Sequence, residues 1–329
     1  MNAARRDRIG TPAGAARAQR GAALLLAMLT VMLVATFAAT ALWQQWRAVE
    51  VETAERARSQ SAWVLVGALD WARLILREDA RAANIDHLAE PWAVPLQESR
   101  LSTFLAAQGG ALQGGDEDLP DVFLSGRIVD LQSRLNIDNL VSAQGEPNAK
   151  ALQAFTRLFE LLGLPPQELE TMASNLQHAR PAQLAQGADV PLWPQRFEQL
   201  AWVGLSPDTL RALAPHVTVL PQHTTVNLNT ASAEVIAAAV EGLDLAEAQR
   251  LVDARARSAL RNVDEAARIL EREASAFTPG DFSVRSDFFE VHGRLRMDAV
   301  LVQERSLLRR SGATVTTVWR ERVRGEVLQ

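Results

Sequence analysis

Residues 21–43, GAALLLAMLTVMLVATFAATALW, decide the fold, because this stretch contains no charged residue. As a helix rising about 1.5 Å per residue it reaches roughly 34 Å, enough to cross a bilayer core of about 30 Å. A signal peptide that is cleaved and discarded has a shorter apolar core, of about 7–15 residues. Trp43 and Trp46 follow the stretch, where their amphipathic rings favour the headgroup layer. We therefore predict a retained membrane helix.

Charge is distributed unevenly on the two sides of this stretch. The chain of 329 residues has a formal net charge of -5 and no cysteine. Residues 1–20 carry five arginines against Asp7, a net charge of +4, which leaves −9 for the rest of the chain. Arginines before the span and a net-negative chain after it predict a cytoplasmic N-terminus and an exported remainder. The absence of cysteine excludes disulfides and cysteine zinc sites, and the acidic balance excludes a globally basic nucleic-acid binder.

The junction between leader and span is Arg20-Gly21-Ala22, followed at once by apolar residues. It resembles the leader junction of type IV pilins and type II secretion pseudopilins, in which a prepilin peptidase cuts after the glycine. The resemblance implies cleavage between Gly21 and Ala22, N-methylation of Ala22, and retention of the hydrophobic segment on the mature protein.

The fifth mature position departs from the common pilin pattern. Most pilins carry glutamate there, opposite a neighbouring subunit's N-terminal ammonium, whereas this sequence has Leu26. An unpaired carboxylate in apolar surroundings is costly, so a subunit with no ammonium to pair with is better without it. A non-carboxylate at this position is typical of the general secretion pathway protein K family.

Beyond the span, the pattern predicts an α+β protein, and the resemblance to pilins implies a pilin-like fold. It has a long N-terminal helical spine and an antiparallel sheet, interrupted by a large all-helical insertion. The helical periodicity passes the membrane, although a membrane helix followed by a separate soluble helix fits the same pattern. Alternation over residues 122–140, and again after Pro279-Gly280, predicts the strands. The expected parts are a leader (1–21), the transmembrane and spine helix (22–83), a first pilin-like segment (84–141), the insertion (142–280) and C-terminal strands (281–329).

Within the insertion, the most specific segment is Asn227-Leu228-Asn229-Thr230-Ala231, which opens a helix. Asn229 or Thr230 is the expected N-cap, and Asn227, Asn229 and Thr230 form a candidate structural motif. Two short helices then meet around Gly242, as in helix-hairpin-helix modules. A weaker echo at residues 134–140 predicts a second, related module.

Helix-hairpin-helix modules are known for binding nucleic-acid phosphates, which makes an anchored DNA-binding protein the rival hypothesis. Such modules use a glycine-hydrophobic-glycine turn, but only Gly242 is present here, between Glu241 and Asp244. Acidic groups beside the turn repel phosphate, so we expect a structural use and no nucleic-acid partner.

No enzyme pattern emerges from the sequence. The five histidines are scattered without a zinc-helix spacing, no nucleophile-elbow serine is present, and Lys150 is the only lysine. We therefore predict a protein that is not an enzyme. Asp116, Glu117, Asp118 and Asp121 are weak candidate calcium ligands, because they cluster without the twelve-residue calcium-loop pattern.

From residue 20 to residue 324 the chain is similar to the general secretion pathway protein K family of minor pseudopilins in the type II secretion system. The resemblance implies a subunit at the tip of the periplasmic pseudopilus that nucleates assembly for export of folded proteins across the outer membrane. The implied partners are the I- and J-type minor pseudopilins, the major pseudopilin, the prepilin peptidase and the inner-membrane secretion platform. No cofactor is required, and calcium is an option. A minor type IV pilin is the second alternative.

Overall fold

The computed structural model describes residues 15–103, 121–142, 144–180, 192–297 and 300–323. The chain divides into two compact units, Met1–Gln60 and Ser61–Gln329. Helix α1 is continuous over Ala15–Ala82. Its sequence contains no proline, and Arg81 in its last turn lies at the end of the helix where a cation is favourable.

The described part of the second unit contains nine strands: β1 (Leu96–Arg100), β2 (Val122–Asp130), β3 (Leu135–Asn136), β4 (Val217–Thr218), β5 (Val226–Asn227), β6 (Phe282–Ser283), β7 (Phe288–Met297), β8 (Val300–Ser311) and β9 (Thr314–Val323). Five of them form one antiparallel sheet in the order β1-β2-β7-β8-β9. The α+β class with a long N-terminal helix and an antiparallel sheet is therefore confirmed.

The last turns of α1, from Ser61 onward, pack on one face of this sheet. Leu69, Ala72 and Leu76 are buried there together with Trp92 and Phe289. Close approach is allowed by two paired glycines, Gly126 on β2 and Gly293 on β7. A Cβ atom on Gly126 would lie 2.8 Å from the His292 carbonyl oxygen, and one on Gly293 would lie 3.1 Å from Leu65 Cδ2. Larger residues at this pair would push the helix or the strands apart.

Within its described residues the insertion contains six α-helices: α2 (Ala149–Leu161), α3 (Pro166–Ala179), α4 (Pro207–Leu213), α5 (Ala233–Ala239), α6 (Leu245–Arg257) and α7 (Asp264–Ile269). Their apolar faces form one core, which includes Phe155, Leu158, Met172 and Ile236. Ser206 is the N-cap of α4, since its side chain accepts from the Thr209 amide with Pro207 at the first helical position.

Two sequence-based expectations need correction. The insertion is not wholly helical, because β3 pairs with β4 and β5 pairs with β6 in short parallel ladders. Strands of two residues are too short to show alternation in a sequence. The strand expected over residues 122–140 ends at Asp130, whose carboxylate accepts from the Gln132 amide and starts a 3₁₀ turn over Leu131–Ser133.

The insertion also packs on the sheet face opposite α1. Leu131 and Leu220 meet Phe288 and Leu307 there, with Trp319 at the margin. At the edge, the guanidinium of Arg196 stacks 3.9 Å from the Trp319 ring and pairs with Glu321 at 3.2 Å. A second ion pair joins Glu198 to Arg305 at 2.8 Å. The helical insertion and the sheet are thus held together by an apolar patch with a charged rim.

Candidate functional site

The leader junction lies inside helix α1. Gly21, Ala22 and Leu26 are all helical and exposed. A Cβ atom on Gly21 would meet nothing within 4 Å, so no packing in the described structure explains the glycine. Cleavage after Gly21 and methylation of Ala22 stay predictions.

The apolar segment has the features of a membrane anchor. Its side chains are exposed, and the hydroxyls of Thr30, Thr36 and Thr40 donate to helix carbonyls three residues earlier. These polar groups are therefore satisfied within the helix, as a hydrocarbon environment requires. At the end of the segment, the Arg47 guanidinium lies 4.9 Å from the Trp43 ring. The helix fits a single-pass anchor with an interfacial aromatic end.

The Asn-Leu-Asn-Thr-Ala segment is buried rather than exposed at a helix start. The expected cap at Asn229 or Thr230 is wrong, because the N-cap of α5 is Ser232, whose hydroxyl accepts from the Val235 amide. Asn229 and Thr230 instead lie in the turn between β5 and α5, and their side chains bond to distant parts of the chain. Local sequence could not separate the two uses, since the same residue types cap helices and fill buried polar sites.

Asn227 is the centre of a cluster that we call the buried polar joint: Asp86, Asp130, Asn227, Thr230, Ser286 and Arg310. Asn227 is fully buried, and its amide nitrogen lies 3.2 Å from the Asp86 carbonyl, 3.2 Å from Asp130 Oδ2 and 2.9 Å from Ser286 Oγ. Its amide oxygen accepts from the Asn229 amide at 2.9 Å. One side chain of the insertion therefore contacts three segments outside it.

Asp130 ends strand β2 and accepts four hydrogen bonds, of which Thr230 Oγ1 gives one at 2.5 Å and Ser286 Oγ another at 2.6 Å. The other two come from Asn227 and the Gln132 amide. Burial raises the pKa of Asp130 to about 6, and the donated hydrogen bonds from Ser286 and Thr230 oppose this shift. A carboxylate buried this deeply persists only because its oxygens are satisfied.

Arg310 on β8 links the joint to the end of helix α1. Its guanidinium pairs with Asp86, donates to the Ser286 carbonyl at 2.7 Å and pairs with Asp79 of α1 at 2.9 Å. Burial raises the pKa of Asp79 to about 6, helped by the nearby Glu90 and Asp86 and opposed by Arg310. No sequence pattern pointed to Asp86, Ser286 or Arg310, because they lie far apart in the chain and belong to no motif.

Asn229 and Arg255 hold the rest of the segment in place. The Asn229 amide both donates to the Leu260 carbonyl at 3.0 Å and accepts from the Leu260 amide at 2.8 Å. Arg255, buried on α6, donates to the carbonyls of Leu228 and Ala231. Burial lowers the pKa of Arg255 to about 10. The guanidinium of Arg255 is thus occupied by backbone carbonyls of the Asn-Leu-Asn-Thr-Ala segment and is not available to bind an external phosphate.

The predicted echo at residues 134–140 has the same construction. Asn136 accepts from the amide two residues ahead, as Asn227 does. Arg180, which follows α3, donates to the carbonyls of Asp138 and Val141. Arg255 makes the corresponding bonds in the other module, to the carbonyls of Leu228 and Ala231. Gly163 and Gly242, with φ of 64° and 67°, turn the chain between the two helices of each module. The insertion is therefore built from two related modules.

Three of the four candidate calcium ligands lie outside the described residues, so the calcium site stays a prediction. Asp116, Glu117 and Asp118 lie outside them, and Asp121 is exposed beside Arg100 at 3.6 Å. A different group, Asp79, Asp86 and Glu90, has carboxylate oxygens within 4.8 Å of one another. Because Arg310 already supplies a fixed cation to two of these three, the group does not fit a metal ion.

The turn at Gly242 carries acidic groups where a phosphate would bind. Asp244 caps α6 and exchanges hydrogen bonds with Glu247 in a capping box. Glu247 in turn pairs with Arg272 at 2.6 Å. The amides at the start of α6 are therefore engaged by carboxylates of this chain, which disfavours phosphate binding.

Each histidine has a different neighbour. His87 lies near Glu90, His292 pairs with Glu290 at 2.7 Å, and His178 contacts the Ser174 carbonyl. His216 lies 3.4 Å from Ser232 Oγ, and His223 lies 3.4 Å from the Val141 carbonyl. Within the described ranges, no metal-binding geometry includes a histidine.

Two family models match the insertion, and both are described as "Type II secretion system (T2SS), protein K". One covers residues 133–222 and the other covers residues 226–285. The boundary between the two matches falls between the two structural modules, since the first ends after β4 and the second begins with β5.

Similar proteins extend this resemblance over most of the chain. A type II secretion system protein K from Pseudomonas aeruginosa is 27% identical over 84% of each chain. One from Klebsiella pneumoniae is 26% identical over 92% of this chain and 96% of its own. A solved chain from the GspK-GspI-GspJ complex of enterotoxigenic Escherichia coli matches the fold with a TM-score of 0.59 and 18% identity, covering 83% of this chain and 99% of that chain.

Proposed function

Because the chain belongs to the type II secretion system protein K family of minor pseudopilins, we propose that it forms the tip of the periplasmic pseudopilus. There it nucleates filament assembly for the export of folded proteins across the outer membrane. The family matches support neither of the alternatives, an anchored DNA-binding protein or a minor type IV pilin. The protein is a structural component of a secretion system, and we infer that it works by assembly rather than catalysis.

The observation that carries the tip proposal is the place where the insertion is attached. Asn227 and Thr230 of the insertion reach Asp130 and Ser286, and Arg310 connects this cluster to Asp79, three residues before α1 ends. The insertion therefore has its root at the C-terminal end of the spine helix. A bulky, firmly held body at that end leaves no room for a further subunit to stack there.

Leu26 supports the same position in the filament. If cleavage falls after Gly21, Leu26 is the fifth mature residue and offers no carboxylate to the N-terminal ammonium of another subunit. A subunit at the tip has no further subunit above it whose ammonium must be neutralised. An apolar residue then avoids the cost of an unpaired charge in the membrane.

The membrane arrangement follows from the apolar helix and the charges of the leader. We propose an inner-membrane protein with a cytoplasmic N-terminus, a single span and a periplasmic globular part, cleaved after Gly21 by the prepilin peptidase and methylated at Ala22. Its proposed partners are the I- and J-type minor pseudopilins, the major pseudopilin and the inner-membrane secretion platform. The similarity to a chain of the GspK-GspI-GspJ complex supports the I- and J-type minor pseudopilins as partners.

Assembly requires no cofactor in this proposal. A calcium ion would need ligands other than Asp79 and Asp86, because both carboxylates pair with Arg310. The test for calcium binding is to titrate the purified protein with calcium and to measure the change in its unfolding temperature.

The experiment for the proposed function is mass analysis of the N-terminus of the protein extracted from membranes. The expected chain begins at a methylated Ala22. A chain that starts at Met1, or one cut after Trp43, contradicts the proposal. As a control, Gly21→Val should block cleavage, because a branched side chain hinders approach of the backbone to the peptidase.

A further inference from the structure

One face of the five-stranded sheet carries arginines that form no ion pair with any residue in the described ranges. Residues alternate between the faces of a strand, so Arg127 on β2 and His292 and Arg294 on β7 share the face that looks toward the insertion. Arg127 is directly opposite His292, and Arg294 is opposite Ser125. Arg134, in the turn after β2, interacts electrostatically with Arg127, Glu290 and Arg305 and so belongs to the same patch. We call Arg127, Arg134 and Arg294 the arginine face.

The acidic residues of this face are already engaged. Glu290 pairs with His292 at 2.7 Å and lies 3.9 Å from Arg305. Glu321 pairs with Arg305 at 2.5 Å and with Arg196. By contrast, among the residues that the structure describes, the side chains of Arg127, Arg134 and Arg294 have neither a hydrogen bond nor an ion pair. Positive charge therefore exceeds negative charge here, although the chain beyond residue 20 is strongly acidic.

This arrangement is unfavourable in the isolated chain. Arg134 is only half exposed. Burial lowers its pKa and the positive charges of Arg127 and Arg305 lower it further, while the negative charges of Glu290 and Asp130 only partly oppose this shift. An arginine that is partly removed from water without a partner costs free energy, and a like charge beside it adds to that cost. A carboxylate of another molecule that binds here would reduce both the cost of the unpaired, partly buried charge and the repulsion between the arginines.

We propose that the arginine face docks an acidic surface of a neighbouring minor pseudopilin, of the I or J type. The inference rests on the proposed function and adds the surface and the chemistry of its partner. Charge complementarity favours separate protein carboxylates over nucleic acid, because Glu290 and Glu321 lie among the arginines and interrupt the continuous positive surface that an evenly charged phosphate backbone would need.

Charge reversal tests the proposal on the full-length chain in detergent. We expect Arg127→Glu with Arg294→Glu to raise the Kd for the I- and J-type subunits at least tenfold. The wild-type complex should weaken as salt increases, and the variant complex should depend less on salt. Arg211→Glu is the matched control, since Arg211 is a highly exposed arginine on α4 of the insertion. The Kd of the Arg211→Glu variant for the same subunits should stay within twofold of the wild-type value.

Arg134→Gln separates docking from a structural role. If Arg134 supported the fold, its loss would lower the unfolding temperature. The proposal expects an unfolding temperature that is unchanged or higher by roughly 2 °C, because an unpaired, partly buried charge is removed. The same variant should bind the partner subunits severalfold more weakly.

The outcomes distinguish the two proposals. Failure of the wild-type chain to bind either subunit contradicts the proposed function, and the docking inference falls with it. Wild-type binding that the arginine variants share overturns the docking inference alone. Duplex DNA binding that Arg127→Glu with Arg294→Glu abolishes, while subunit binding persists, overturns the proposed class of partner.

Discussion

Asn227 has no charge and no exposed surface, yet three segments outside the insertion meet at its side-chain amide. Its role depends on geometry, because an amide can donate to several acceptors at once without adding charge to a site that already holds Asp86 and Asp130. The buried polar joint has only one cation, Arg310, for these two carboxylates. Hydrogen bonds from Asn227, Thr230 and Ser286 stabilise the carboxylate of Asp130, which has no cation of its own in the joint.

Loss of a single donor to Asp130 should therefore be measurable. Thr230→Val keeps the shape of the side chain but removes the hydroxyl that donates to Asp130 Oδ2. We expect the free energy of unfolding to fall by about 1–3 kcal/mol, the usual cost of a buried charged acceptor that loses a partner. The control is Thr156→Val, since Thr156 is exposed on α2 and bonds only to its own helix. Equal effects of the two variants in urea unfolding would contradict the role of the joint.

The same carboxylate predicts a dependence on pH. The pKa of Asp130 is raised to about 6, so the folded chain binds more protons than the unfolded chain between about pH 4 and pH 6. The contribution of Asp130 to the free energy of unfolding therefore decreases as the pH rises through this window, by at most ~3 kcal/mol.

Unfolding of the wild type and of Asp130→Asn at pH 4.5 and pH 7.5 checks this sign. The stability of the wild type relative to the variant should be lower at pH 7.5, where Asp130 is ionised. A difference that does not change with pH would show that Asp130 titrates normally.

At the scale of elements, the helical hairpins depend on their glycine turns. Gly242 has φ of 67°, and a Cβ atom there would meet nothing within 4 Å, so only backbone conformation opposes a side chain. Gly242→Ala should destabilise the chain by roughly 1 kcal/mol. Gly280 is the matched control, because it has open space and no left-handed φ. Gly280→Ala should be neutral or slightly stabilising in the same unfolding experiment.

Helix α1 carries the prediction about the fifth mature residue. Leu26→Glu places a carboxylate in the span with no ammonium to pair with it, which costs several kcal/mol in a membrane. We expect less protein in complex with the I- and J-type subunits, measured by co-purification. Leu26→Met, which keeps the apolar character, should leave the yield unchanged. An improved yield with Leu26→Glu would place an ammonium next to this position and contradict the tip assignment.

The sequence predicted these elements unevenly, for physical reasons. Residues 21–43 identified the anchor because a long uncharged run has few other uses. Ser206-Pro207 marks the start of α4 with residue types that are readable locally, since capping depends on neighbouring residues. The pairs β3–β4 and β5–β6 left no pattern because each strand has two residues. The joint left none because Asp86, Asp130 and Arg310 meet only in the folded chain.

At the scale of the molecule, the two modules and the sheet form one assembly with separate contacts. The joint anchors the root of the insertion at the end of α1, and the apolar patch with its charged rim holds it to the sheet. The arginine face lies beside these contacts and remains free for a partner. This division of surfaces gives the large insertion a structural role at the end of α1, in keeping with the proposed work by assembly.

The central claim is that this chain occupies the tip of the pseudopilus. The most direct measurement is electron microscopy of isolated pseudopili in which a gold label marks the C-terminal end of this chain. We predict one label per filament, always at one end. Labels distributed along the filament, or filaments of normal length and number in cells that lack this chain, would contradict the account.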